Sequence, residues 1–186
     1  VLAAGRSQRM GTQKLLLPWG GKTVIAHIVD VLLRSLVQQV FVVVGQAGEP
    51  IKEAMAGCAV TFVTNPDSEG DMLSSVRCGL RVLPAECEGV LVALGDQPTV
   101  TTELVLKMTR EFQENGRCII VPVYQGRHGH PMIFSARFRE EILQDYDGVG
   151  LRGLLRKHKK ELFEVSVSTP AVLEDMDTPE DYERLL

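Results

Sequence analysis

Residues 1–18 read Val1-Leu2-Ala3-Ala4-Gly5-Arg6-Ser7-Gln8-Arg9-Met10-Gly11-Thr12-Gln13-Lys14-Leu15-Leu16-Leu17-Pro18. The opening is apolar and suits a strand, and Gly5 ends it. Between Gly5 and Gly11 stand a serine hydroxyl and two arginines, Arg6 and Arg9, with Lys14 close behind. Glycines let a backbone approach a ligand and turn its N–H groups inward, and cations offset phosphate charge. The stretch therefore predicts a strand whose exit loop holds a triphosphate. A solvated basic turn has the same composition, so the loop must be weighed with the rest of the chain. Two familiar phosphate loops are excluded. A Walker loop runs G-x-x-x-x-G-K-[ST], whereas five residues separate Gly5 from Gly11 here and Thr12 comes next. The dinucleotide fingerprint G-x-G-x-x-G is absent as well.

Beyond Pro18, short β-branched runs alternate with segments of helical period. Strands are expected at residues 1–4, 40–44, 59–64, 89–94, 118–123 and 162–167. Helices are expected at 24–36, 51–56, 72–82, 103–114 and 152–158. The strand candidates are continuous apolar runs more than in-out alternations, as in sheets covered on both faces. Within the fourth helix Val105, Met108 and Phe112 share one stripe, while Lys107, Arg110, Glu111 and Glu114 lie elsewhere. That is the pattern of a helix lying on a sheet. The β-α-β-α order predicts a three-layer α/β/α fold around a mostly parallel, doubly wound sheet. Ligands of such sheets bind beyond the carboxyl ends of the strands. No repeat, low-complexity segment or linker interrupts the pattern, and residues 1–186 are expected to form a single domain.

Composition narrows the class. With 186 residues, 45% of them hydrophobic and 24% charged, the chain has the makeup of a soluble globular protein. A net charge of -4 gives no reason to expect a nucleic acid as partner. No apolar run approaches the roughly 20 residues that cross a bilayer, so no membrane association is expected. No signal-peptide pattern opens the chain. Val1 stands inside an apolar run without a preceding methionine, so a few residues of a first strand are expected upstream. Cys58, Cys78, Cys87 and Cys118 have no C-x-x-C spacing. They are expected to be reduced, mostly buried thiols of a cytoplasmic protein.

Leu2-Ala3-Ala4-Gly5, Ser7, Arg9-Met10-Gly11, Lys14 and Leu16-Leu17-Pro18 together resemble the L-A-A-G-x-S-x-R-M-G-x-x-K-x-L-L-P signature of the molybdenum cofactor cytidylyltransferase-like family. Glu69-Gly70-Asp71-Met72-Leu73-Ser74-Ser75-Val76 with Gly79-Leu80 is similar to its G-M-x-x-S-[LIV]-x-x-G-L segment, except that Asp71 intrudes between Gly70 and Met72. Gly95-Asp96-Gln97-Pro98, Gly129-His130-Pro131 with Phe134, and Asp175-Met176-Asp177-Thr178-Pro179-Glu180-Asp181 complete the set. The resemblance implies a GT-A-like, Rossmann-type nucleotidyltransferase. Such an enzyme moves CMP from CTP to molybdopterin or its molybdenum form and releases pyrophosphate, for use by a molybdenum hydroxylase. It further implies that Leu2, Ala3, Ala4, Gly5, Ser7, Arg9, Gly11, Lys14 and Ser75 bind the nucleotide, with Lys14, Arg9 and Asp96 central to catalysis. In related guanylyltransferases the second alanine of L-A-A-G is usually glycine. A methyl at that position trims the space for a purine, and Ala4 therefore points to CTP.

Asp96 leaves an apolar run through Gly95, at the carboxyl end of a strand. Gly95 admits the close approach of a ligand and Pro98 fixes the chain as it turns away. A carboxylate there suits Mg²⁺, which binds through one or two protein carboxylates plus substrate phosphates; it equally suits a turn or an N-cap. The resemblance selects the metal role for Asp96 and gives Asp177 the second contact, with Asp175 as substitute. After Asp177, Thr178 reads as an N-cap, Pro179 as the first helical residue, and Glu180 and Asp181 as complements to the helix dipole.

His128 and His130 would share a face in an extended segment, yet no third zinc ligand lies nearby in sequence. The resemblance instead makes Gly129-His130-Pro131 part of the acceptor wall, with His128, His130 and Arg152 as acceptor-binding residues. Asp147-Gly148-Val149-Gly150-Leu151-Arg152 departs from the family's G-D-x-G-x-R order. Arg152 could meet a phosphate or cap a helix. Two other functions fit part of the pattern: a transferase acting on a sugar phosphate or another small phosphate ester, and a non-catalytic accessory protein that carries the finished cofactor. The complete set of Lys14, Asp96 and Asp177 argues against the second.

Overall fold

The computed structural model describes residues 1–67, 69–116 and 118–186. β1 (Leu2–Ala3) leads through the glycine loop to a hairpin, β2 (Pro18–Trp19) and β3 (Lys22–Thr23). Next come α1 (Val24–Leu33), β4 (Phe41–Val44), α2 (Glu49–Ala54), β5 (Thr61–Thr64), α3 (Met72–Val82) and β6 (Gly89–Val92). α4 (Thr102–Glu114) precedes β7 (Ile119–Tyr124), β8 (Arg127–His128) and β9 (Met132–Ser135). The chain closes with α5 (Arg139–Gln144), α6 (Leu151–Lys157), β10 (Leu162–Ser166) and α7 (Pro179–Leu185). Every expected strand and helix is present within a few residues of its expected ends.

β1, β4 and β5 pair in parallel, as do β7 and β10. The Leu2 N–H donates to the Ala93 carbonyl and the Gly95 N–H to the Leu2 carbonyl, both at 2.9 Å. This parallel bridge joins β1 to the end of β6 and makes one sheet of the two parts. β9 breaks the parallel order, lying antiparallel between β6 and β7, and the short β8 also pairs antiparallel with β7. Its four residues, Met132-Ile133-Phe134-Ser135, are too short a run to read as a strand without their neighbours.

Alternate residues of β7 face opposite layers. Ile119 and Val121 join Leu73 and Leu80 of α3, Ile142 of α5 and Leu154 of α6; Ile120 joins Ile25 and Val29 of α1 and Val105 and Met108 of α4. A period of two in a strand places successive side chains on opposite faces, so the sheet is covered on both sides. The expected stripe of α4 is buried: Val105 and Met108 are 0% exposed and Phe112 is 8%. Each such side chain contributes roughly 1.5–3 kcal/mol by leaving water. The four cysteines are free, but each is only partly buried. Cys58, Cys87 and Cys118 lie in loops, and Cys78 lies within α3. Among the described residues no helix is long and apolar enough to cross a membrane.

One carboxylate ties α5 to the following turn and to α6, and Arg77 of α3 donates to the Ile142 and Asp145 carbonyls at the end of α5. Glu141 accepts hydrogen bonds from the Tyr146 hydroxyl and from Lys157 Nζ at 2.9 Å, and His158 Nε2 lies 3.0 Å from both of its oxygens. Burial by itself works to raise the pKa of Glu141, but these donors hold it down at about 2. Because the folded value lies below the ordinary 4.5, the stabilisation is present above about pH 4.5 and is lost as the pH falls towards about 2. Glu141→Gln is expected to cost about 2–3 kcal/mol at neutral pH and to flatten that acid limb in denaturant melts. Parallel acid limbs for the two proteins would remove Glu141 from this role.

Candidate functional site

The glycine loop is organised from within. Ser7 takes a left-handed backbone (φ 51°), and its hydroxyl donates to Gln13 Oε1 at 2.9 Å and accepts from the Lys14 N–H at 3.2 Å. Gly11, at φ 67°, takes a conformation that favours glycine. A Cβ on Gly5 would meet nothing within 4 Å, so the space beside it is open. Leu2 and Ala3 end β1 under the loop, and Ala4 is partly exposed at its start. Arg6 reaches away from the loop to pair with Glu69.

Lys14 is turned inward and is only 8% exposed. Its Nζ lies 2.6 Å from Asp96 Oδ2 and 2.9 Å from Asp177 Oδ1, and Arg9 reaches Asp177 Oδ2 at 2.7 Å. Four residues that the sequence singles out, Arg9, Lys14, Asp96 and Asp177, therefore form one cluster beyond the carboxyl ends of β1 and β6. Burial works to lower the pKa of Lys14, but Asp96 and Asp177 together raise it. Burial likewise works to raise that of Asp177, but Lys14 and Arg9 hold it below the ordinary carboxylate value.

Backbone contacts hold the two acidic loops together. The Met176 N–H donates to the Asp96 carbonyl at 2.9 Å. Gln97, 2% exposed, donates through Nε2 to Asp175 Oδ1 at 2.8 Å. Burial raises the pKa of Asp175, Gln97 opposes it, and the nearby charges of Asp96 and Asp177 raise it further. The helix start after Asp177 is as the sequence predicts: the Thr178 hydroxyl accepts from the Asp181 N–H, and the Asp181 carboxylate answers the Thr178 N–H in a capping box. Gln97 is a buried link between the two acidic loops that residue-type reasoning missed. Its only signal was a glutamine directly after a strand-end aspartate.

Gly95 has a different reason from the one expected. A Cβ there would lie 2.9 Å from the Leu2 carbonyl oxygen and 3.2 Å from Ile25. Its missing side chain makes room for β1, not for a ligand. The intruding Asp71 is the N-cap of α3, accepting from the Ser74 N–H at 2.9 Å.

The remaining site candidates are spread more widely. His130 lies close enough to Asp96 to feel its charge; burial pushes its pKa down, against a hydrogen bond to the Val92 backbone and the pull of Asp96. Its Nδ1 is enclosed without a partner among the described residues, as is Gln97 Oε1. His128 instead sits exposed on β8, 2.6 Å from Glu164 of β10. Arg152 is exposed in the first turn of α6 and is not joined to the cluster. Ser75 is buried on α3, where its Oγ accepts from Asn65 at 3.1 Å. Ser75 also borders a cavity of about 550 Å³, whose other walls include Val1, Phe41, Gly89 and Leu83 at the amino ends of the strands. The charged side chains gather at the opposite ends of the strands, outside that cavity.

Two carboxylates already share one cationic atom within 3 Å, so an ion could meet both with only a small inward movement of their side chains. Mg²⁺ lies about 2.0–2.1 Å from its oxygen ligands and keeps several waters, which suits this sparse pair. Among the described residues no group of three or more His, Cys, Asp or Glu side chains forms a cage.

A family model for the MobA-like NTP transferase domain matches residues 1–162. The chain belongs to this family. It is a nucleotidyltransferase. The molybdenum cofactor cytidylyltransferase of Escherichia coli (strain K12) is 27% identical over 186 residues, spanning 98% of this transferase and 91% of the relative. Nicotine blue oxidoreductase of Paenarthrobacter nicotinovorans is 29% identical over 195 residues, covering 100% and 94% of the two chains. Rv0371c from Mycobacterium tuberculosis H37Rv has a crystal structure that superposes with a TM-score of 0.88 at 31% identity, covering 100% of this chain and 95% of that one. That protein was also solved in complex with manganese; there the TM-score is 0.82 and the identity 28%, with 100% and 95% coverage. The transferase therefore keeps the family fold along its whole length.

Because β1 and the strand end before Asp96 meet through backbone, neither can yield easily to an added methyl. Gly95→Ala in this transferase is expected to destabilise by about 1–3 kcal/mol, as overpacking in a close-packed interior does. Urea melts measure it, and an unchanged midpoint would show that the contact relaxes freely.

Proposed function

We propose that this enzyme, acting as a single domain over residues 1–186, transfers CMP from CTP to molybdopterin or its molybdenum form and releases pyrophosphate. The observation that carries the reading is Lys14 Nζ held between Asp96 and Asp177 beside the glycine loop, at 2.6 and 2.9 Å. Two carboxylates and two cations beside an open glycine loop are what a metal-bound triphosphate needs. Asp96 and Asp177 hold Mg²⁺, which neutralises charge on the phosphates when bound. Arg9 and Lys14 contact the triphosphate, with the N–H groups of residues 5–11 around it. Leu2, Ala3, Ala4 and Ser75 border the base and ribose.

The acceptor phosphate is anionic at neutral pH, so its oxygen attacks the α-phosphorus without a protein base, and pyrophosphate leaves in line with its electron pair. Alignment and charge neutralisation then account for most of the acceleration. His130 fits the acceptor side best, since burial keeps its imidazole neutral next to Asp96. His128 and Arg152 are the outer acceptor contacts, reached once substrate spans the cleft. CTP is favoured over GTP by Ala4, and the likeness to the Escherichia coli cytidylyltransferase supports both the base and the pterin. The product serves a molybdenum hydroxylase in the cytoplasm.

Full-length likeness to nicotine blue oxidoreductase favours a second reading, an oxidoreductase. A triphosphate-and-metal set of Arg9, Lys14, Asp96 and Asp177 has no use in hydride transfer, so the transferase reading is preferred. Asp96→Asn is expected to lower magnesium-dependent pyrophosphate release from CTP and molybdopterin by at least about a hundredfold while the fold persists by circular dichroism. Near-normal turnover of that variant would defeat the metal assignment. Equal use of CTP and GTP would defeat the cytidine assignment, and oxidation of reduced nicotinamide without pyrophosphate release would favour the second reading.

A further inference from the structure

We infer that Lys14 occupies the place of the metal in the nucleotide-free enzyme, so that a divalent cation enters only together with the triphosphate. The inference rests on the nucleotidyl-transfer reading of the site and concerns its order of binding. Lys14 Nζ is within 3 Å of both carboxylates, and Arg9 saturates the outer oxygen of Asp177 at 2.7 Å. Asp96 and Asp177 thus meet two positive charges, and both carboxylates are paired without any ion.

Now consider a divalent cation arriving alone. It must push the ammonium off both carboxylates. The Lys14 side chain is only 10% exposed, so the displaced charge would be left largely buried with no counter-charge. A buried ion stripped of its partner is strongly unfavourable. A triphosphate changes the balance, because its oxygens receive Lys14 and Arg9 as they leave. One dication then replaces two monocations on the carboxylates, and the two monocations pass to the phosphates. The state with metal alone leaves two monocations without a counter-charge, whereas the anionic triphosphate supplies more than enough negative charge for both. Metal and nucleotide should therefore bind with positive coupling, and removing the Lys14 charge should weaken it by letting the metal bind alone.

The test is titration of the whole chain with Mn²⁺, read by water-proton relaxation and electron paramagnetic resonance. It is run alone and with the non-hydrolysable analogue cytidine 5′-(α,β-methylene)triphosphate. Wild type is expected to bind Mn²⁺ alone at least about tenfold more weakly than with the analogue. Lys14→Met is expected to gain a saturable site for Mn²⁺ alone, and adding Asp96→Asn should remove it. Lys14→Gln serves if the methionine variant does not fold. In wild type, the Cε resonance of Lys14 should move with Mn²⁺ plus analogue and stay in place with Mn²⁺ alone. Equal Mn²⁺ affinity with and without the analogue, or a Lys14 shift caused by Mn²⁺ alone, overturns the inference and leaves the function standing. Failure of the analogue to bind at any metal concentration counts against the nucleotide reading itself, while the comparison of wild type with Lys14→Met in Mn²⁺ alone still decides the placeholder.

Discussion

The ammonium of Lys14 is where three distant parts of the chain become one site. It comes from the end of the glycine loop, Asp96 from the end of β6 and Asp177 from just before α7, separated by 82 and 163 residues from the lysine. Without that cation the two acids would face one another across a half-buried gap. The sheet supplies the frame. β1 and the segment after β6 are joined by two 2.9 Å backbone hydrogen bonds, so the loop and Asp96 leave the sheet as neighbours. The C-terminal acids are then fastened to Asp96 through the Met176 N–H.

Family membership and local geometry inform different levels of the reading. The family match covers residues 1–162, which includes the glycine loop and Asp96 but stops before Asp175 and Asp177. The link between Asp177 and the rest of the site is therefore carried by hydrogen bonds, not by the family match. This division also explains why the base and acceptor are harder to read than the transfer of a nucleotide. Phosphates and metal are met by charges that cluster visibly. Under the proposed reading a base meets backbone and small side chains such as Ala4, which leave little trace in charge or burial.

Much of the fold was legible because its signals are local. Continuous apolar runs marked the strands, and the stripe of Val105, Met108 and Phe112 marked the buried face of α4. Thr178 and Pro179 announced α7. β9 was not legible, since four residues become a strand only when β6 and β7 stand on either side to bond them. Residue types picked out Lys14, Arg9, Asp96 and Asp177, but nothing in spacing says that the lysine bridges the two acids. Gly95 was recognised as a glycine that must be one, yet its cause is the carbonyl of Leu2, a contact of 93 residues' separation invisible to pattern. Asp71 looked like a disruption of its motif and turned out to start α3. His128 was legible as a histidine and not as a surface residue, because its partner Glu164 lies on a strand far along the chain.

The docking of α7 has a practical bearing on how the protein is handled. The helix starts at the capping box beside Asp177, and Tyr182 within it donates to the Pro18 carbonyl at 2.6 Å, shortly after the segment that carries Lys14. Seven residues of helix span about 10 Å. An affinity tag or reporter fused after Leu186 would therefore hang one short helix away from Asp177, pulling on the same peptide that orients it. Purification handles belong elsewhere on the surface, and a cleavable linker at that end is a safeguard for any quantitative assay.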